Sequence, residues 1–176
     1  MDFDMELFEQ TMNEILPGLT LYVRDVNLPE KFAEKYVSGT IIMEKAYTDA
    51  SSRVMGMKTT HRFSILSNHM ADFSSFEQET NWGLFVANKD SHFLILDKYE
   101  YHMKTQITLF HLPDDERWKM FQNVKINLLE KVAMDVRKRF ENKCEEEVIP
   151  ELATDEWIKR CSFPIGMDDE GNLFDI

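Results

Sequence analysis

The chain has 176 residues, 43% of them hydrophobic, including thirteen Phe, three Trp and eleven Met. A chain of this size buries roughly 70% of the surface its unfolded form exposes, which excludes disorder for most of its length and predicts one α+β domain over residues 1–176. Its formal net charge of −12 opposes phosphates and anionic lipid, so direct nucleic-acid binding and membrane binding are not expected.

Residues 3–15 read FDMELFEQTMNEI. Met5, Phe8, Met12 and Ile15 recur at steps of three and four, one apolar stripe on a helix that Asp2 or Asp4 caps and Pro17-Gly18 ends. LTLYVRDV, residues 19–26, alternates like a strand, and Pro29-Glu30 opens a short helix. Residues 38–47, SGTIIMEKAY, read as a strand or as the end of a helix, the strand being favoured; TDASSRVMG, residues 48–56, reads as a turn or mobile loop.

Beyond Met57 the pattern is that of a sheet: KTTHRFSIL (58–66), WGLFVA (82–87), HFLIL (92–96) and TQITLFHL (105–112). Short links between runs favour sequential antiparallel pairing, with Asn88–Ser91 at hairpin length. Both faces of the central runs are apolar, which implies cover on both sides. After Pro113, the acids Asp114, Asp115 and Glu116 open a helix predicted to run to Lys143. Trp118, Phe121, Val124, Leu128, Val132, Val136 and Phe140 form its stripe over about seven turns. Thr154 caps a last short helix, and Asp168–Asn172 is a polar turn. The expected fold class is therefore α+β: an antiparallel meander of about 4–6 strands packed against an N-terminal helix and a long C-terminal amphipathic helix.

Nucleotide and nucleophile motifs are missing from the sequence: there is no G-x-x-x-x-G-K-[ST], no G-x-G-x-x-G and no G-x-S-x-G. The histidines show no metal-ligand spacing, and neither acidic run has the order of a calcium loop, so neither a metal nor a cofactor is predicted. Cys161 could in principle be a nucleophile, but its place on the apolar edge of a terminal helix favours a packing role. One constellation remains. If the strands at 92–97 and 104–111 pair across a turn near Tyr101, His92 and His111 lie opposite each other with Asp90 at the same end; a slip of one residue destroys that arrangement.

The surplus charge is concentrated at the two ends of the chain. Residues 1–16 hold five acids and no base, and residues 114–176 hold sixteen acids against ten bases. Asp2, Asp4, Glu6, Glu9, Glu145, Glu146, Glu147, Asp168, Asp169 and Glu170 are the candidate partner-binding residues. In composition, though in no specific residues, the chain is similar to bacterial immunity and inhibitor proteins, which neutralise basic nucleases by charge complementarity. That likeness implies an acidic module that inhibits or regulates a basic protein partner, with a nucleic-acid-mimicking surface as a special case. The alternative is a small enzyme or ligand-binding protein with an interior site between the sheet and the long helix, where Met and Phe side chains could line a cavity. Two cysteines without partner spacing, an acidic N-terminus and no span of ~20 apolar residues place the chain in the cytoplasm as a soluble protein.

Overall fold

The computed structural model describes residues 2–176. Helix α1 (Met5–Ile15) starts where the Asp4 carboxylate accepts the Leu7 backbone N–H at 2.9 Å, a cap that satisfies a donor the helix itself leaves free. It is followed by β1 (Thr20–Val26), the short α2 (Glu30–Ala33), β2 (Ile41–Glu44), β3 (Thr48–Ser51), β4 (His61–Ser67) and β5 (Ala71–Asp72). After these come β6 (Leu84–Ala87), β7 (Ser91–Tyr101), β8 (Lys104–His111), α3 (Asn127–Lys143) and α4 (Asp155–Arg160).

The strands form one mixed eight-stranded sheet in the order β2-β7-β8-β4-β1-β3-β6-β5, which corrects the expected meander of fewer strands. Two misreadings account for the difference. Asn88–Asp90 does not close a hairpin: β6 pairs with β3 and β5, whereas β7 lies between β2 and β8. Strand β4 runs parallel to β8, His61 beside Thr105 through Leu66 beside Phe110, because the long return through β5, β6 and β7 brings the chain back in the same direction.

The C-terminal helix is also shorter than expected. Glu116–Phe121 is a 3-10 turn, Asn123 takes a left-handed φ of 64°, and α3 begins only at Asn127. The break shifts the phase, so Leu129, Ala133, Val136 and Phe140 are buried while Leu128 is half exposed.

Alternation of side chains across the sheet separates two cores. Leu21, Leu66, Leu94 and Phe110 point to one face and pack against α1, the 3-10 turn and α3. Tyr22, Phe63, Phe93, Ile95, Ile107 and Leu109 point to the other. The sheet narrows to a single residue pair, Val23 with Ser51, between β1 and β3. Beyond it, Ala50 and Ala87 of the β3-β6-β5 part join the second core, together with Ile165 and Met167 of the C-terminal segment. This junction of β1, β3 and the C-terminal segment positions the site described next.

Candidate functional site

The ten candidate acids do not form one surface. Asp4 is spent on the α1 cap; Asp2, Glu6 and Glu9 are exposed along that helix, whose C-terminal turn meets Asn68 just past the end of β4. Glu145 pairs with His102 at the tip of the β7–β8 hairpin, and Glu146 pairs with Lys143, at the opposite end of the strands. Glu147 presents its backbone carbonyl to Gly56 N at 3.2 Å. Asp168 folds its own turn by accepting from the backbones of Glu170 and Asn172, on the other face of the sheet, and Asp169 and Glu170 are exposed beside it. Four of the ten carboxylates, those of Asp4, Glu145, Glu146 and Asp168, are engaged locally, and the group is dispersed over both ends and both faces.

Asp90, His92 and His111 are not brought together either. Phe93, not His92, is the partner of His111 across β7 and β8. That one-residue difference turns His92 to the helical face, stacked on Trp118 at 4.0 Å. Asp90 is exposed in a left-handed turn. His111 is instead buried against His69, with ring centroids 3.8 Å apart and planes at 20°. Ligand atoms of His69, His111 and Asp114 lie within 4.8 Å of one another. A metal must sit in the plane of each ring at about 2.0–2.1 Å from nitrogen, and near-parallel stacked planes do not meet at such a distance. Cys161 is fully buried against Trp82 and Trp157, and burial pushes its thiol up to about 12, which keeps it protonated and unreactive.

Between the sheet and α3 there is a hollow of about 210 Å³ lined by Leu94, Leu96, Ile126 and Leu129. Deeper under the helix the interior is filled. Arg62 forms a two-bond pair with Asp25 there, and Ser64 donates to Gln106. The expected interior site thus reduces to a shallow apolar hollow above a packed polar seam.

The group that sequence reasoning missed is Arg24. It sits mid-strand on the second-core face of β1, 6% exposed. Its two Nη atoms donate to the backbone carbonyls of Asp49 (3.1 Å) and Phe163 (2.9 Å), tying β3 to the C-terminal segment. Its Nε has no partner, and no carboxylate pairs with it among the described residues. A buried cation held only by neutral carbonyls retains an uncompensated charge. Beside it, the Thr48 hydroxyl, 1% exposed, also lacks a partner. Both residues line a hollow of about 200 Å³.

Of the acids lining that hollow, Asp49 pairs with Arg160 at 2.7 Å, whereas Glu44 accepts only from the backbone of Gly166 (2.6 Å) and Ala46 (2.9 Å), neutral donors that leave its charge in place. Tyr47, Asp49 and Arg160 also line a second hollow of about 540 Å³ whose floor is Leu84 and Val86. Tyr47, Phe73 and Phe163 are exposed aromatics on the walls of the two hollows. The two hollows adjoin at Tyr47, Asp49 and Arg160; Arg24, Glu44 and Phe163 line the first and Phe73 the second.

No family model and no curated protein matches the chain. Among solved structures it is similar in part to the type III effector XopAI of Xanthomonas axonopodis pv. citri, at 15% identity and a TM-score of 0.47 over 54% of this chain and 42% of that one. It is also similar to exoenzyme S of Pseudomonas aeruginosa, solved with human 14-3-3 protein beta and carba-NAD, at 14% identity and 0.47 over 75% and 68%. A third is the ADP-ribosyltransferase Vis of Vibrio splendidus, at 13% identity and 0.44 over 55% and 49%. The chain spans less than half of the XopAI chain it matches. With the candidate acids dispersed and engaged as described, the inhibitor or immunity-type reading is set aside.

Proposed function

We propose that this chain is a small-molecule-handling protein, of the ligand-binding or enzyme class, whose ligand joins an anionic group to a planar ring, as a nucleotide does. The supporting observation is Arg24: a desolvated guanidinium without an acid partner, beside an unsatisfied hydroxyl, in a hollow that the exposed aromatics Tyr47 and Phe163 also line. An anion seated there gains a charge-assisted contact in a low-dielectric setting, and the rings of Tyr47 and Phe73 offer stacking surface for a base. On this reading the site lies between β1, β3 and the C-terminal segment rather than under α3. Two free, buried thiols, Cys144 and Cys161, support placing the protein in a reducing compartment, the cytoplasm.

The test is calorimetric titration with NAD, AMP, pyrophosphate and adenosine, with Arg24→Gln beside the wild type. NAD is a useful probe because it carries phosphates and planar rings in one molecule. NAD and AMP should bind more tightly than pyrophosphate or adenosine alone, and Arg24→Gln should weaken them about 10- to 100-fold, the loss expected for a hydrogen bond to a charged group. At 100 times Kd a ligand adds about 2.7 kcal/mol to stability, visible as a rise in Tm. Equal binding by wild type and Arg24→Gln, with the variant shown to be folded, would remove this assignment.

A further inference from the structure

The stacked histidines outside the cleft carry a second inference, independent of the ligand. Asn68 donates both hydrogens of its amide, to the backbone carbonyls of Glu14 (2.6 Å) and Pro17 (2.9 Å) at the end of α1. That fixes its orientation and turns Oδ1 toward His69 Nδ1 at 3.0 Å. The other nitrogen of His69, Nε2, faces the Leu112 carbonyl at 3.1 Å. Both ring nitrogens therefore face oxygens that can only accept. A neutral imidazole has one hydrogen for two acceptors and must leave one lone pair against an oxygen.

His111 has the opposite arrangement. Ser67 Oγ receives the His69 backbone N–H at 3.1 Å, so its own hydrogen is free for His111 Nδ1 at 2.8 Å. The His111 proton then sits on Nε2, facing Asp114 at 3.2 Å and Ser91 Oγ at 3.3 Å. This neutral form satisfies both of its nitrogens. Only His69, stacked on it at 3.8 Å, is left with one hydrogen for two acceptors.

We propose that His69 is a proton-operated latch, in which protonation at both ring nitrogens closes the Asn68–His69 contact between the end of α1 and the sheet. The charged or titratable groups facing the pair are each other, from β8 and the stretch after β4, and Asp114 from the turn after β8. From α1 only backbone reaches the seat, through Asn68, because the Glu14 carboxylate is turned to Arg117. Burial, and then His111, hold His69 below the ordinary histidine value, while Asp114 and the Leu112 carbonyl pull the other way. The switch therefore works on the acid side of that value. The proton improves the local contact yet is bound less readily than by the unfolded chain, so local order and global stability respond to acid with opposite signs.

The experiment is side-chain ¹⁵N NMR of the histidines in the full chain from pH 8 to pH 5, with hydrogen exchange of the Asn68 amide. On acidification His69 should become protonated at both nitrogens, and exchange at Asn68 should slow. Asn68→Leu, which removes the acceptor, should lower the His69 midpoint further, and Asn68→Asp should raise it by roughly one pH unit. No protonation of His69 before the chain unfolds, or protonation of His69 without slower exchange at Asn68, would each overturn the proposal.

Discussion

Thr48→Val tests the cleft most directly, because it separates stability from binding. The Thr48 side chain is 1% exposed and its hydroxyl has no partner. An unpaired buried hydroxyl costs about 1–3 kcal/mol of desolvation, and valine has nearly the same shape without that polar atom and suits a strand. The variant should therefore be more stable than the wild type by about 1 kcal/mol, which for a chain of this length raises Tm by roughly 2–4 °C. Thr108 provides the control. It is also fully buried with an unpaired hydroxyl, but it lies in the seam under α3, on the opposite face of the sheet from the cleft. Thr108→Val should give the same stabilisation, and only Thr48→Val should also weaken binding of the anionic probe. Denaturant midpoints and titration calorimetry on the three proteins decide it. A Thr48→Val variant destabilised by a kilocalorie or more would show that the hydroxyl has a partner, and the reasoning from unsatisfied groups would fail at this position.

Three further outcomes follow. Burial holds His61, His69 and His92 below the ordinary value of 6.5, so in acid the unfolded chain binds more protons than the folded one. Their contribution is complete above that value and is lost as pH falls through the folded values, so the urea midpoint should drop between pH 7.5 and 5.5; a flat profile would contradict the shifts. Gly56→Ala would place a Cβ 1.8 Å from the Glu146 backbone carbonyl, and overpacking against backbone should lower stability by about 1–3 kcal/mol or more, read by thermal denaturation; a neutral effect would mean that the loop at 52–56 is not fixed against the end of α3. Cys161, with its thiol pushed up to about 12, should resist iodoacetamide at pH 8 in the folded protein and react after denaturation, as followed by mass spectrometry; rapid native labelling would contradict its burial.

What could be read from the sequence depended on how much each element advertised itself. The alternation in LTLYVRDV and HRFSIL marks strands that form, because buried side chains on both faces leave little else for those residues to do. The 3.6-residue stripe after Pro113 reads as continuous in the sequence, since a 3-10 turn carrying Trp118 and Phe121 keeps the same apolar spacing across the break at Asn123. Strand β3 is written Thr-Asp-Ala-Ser, which propensity assigns to a turn; it is a strand because tertiary pairing with Leu84–Ala87 overrides propensity. Without β3, β6 has no partner except its neighbour in sequence, and the false hairpin follows. The signal for Arg24 was present, however. Tyr22, Arg24 and Val26 share one face of a strand whose other face holds Leu21 and Val23, and a charge at a core position of a doubly buried strand breaks a local rule of the kind that functional sites break.

An anion-binding cleft on a chain of net charge −12 is consistent once distance is considered. Exposed acids such as Glu6, Glu9, Asp169 and Glu170 act through water, where interactions fade over about 8 Å at physiological ionic strength. Arg24 acts at contact and out of water, where a single charge counts for far more. The long-range field should therefore slow the approach of an anion, and the local guanidinium should hold it after arrival. Added salt then has a definite sign: by screening the repulsion it should speed association of an anionic ligand, whereas a basic protein drawn to dispersed carboxylates would associate more slowly. The same net charge thus predicts opposite salt responses for the two kinds of partner, and only the first is compatible with a binding site built on one desolvated cation.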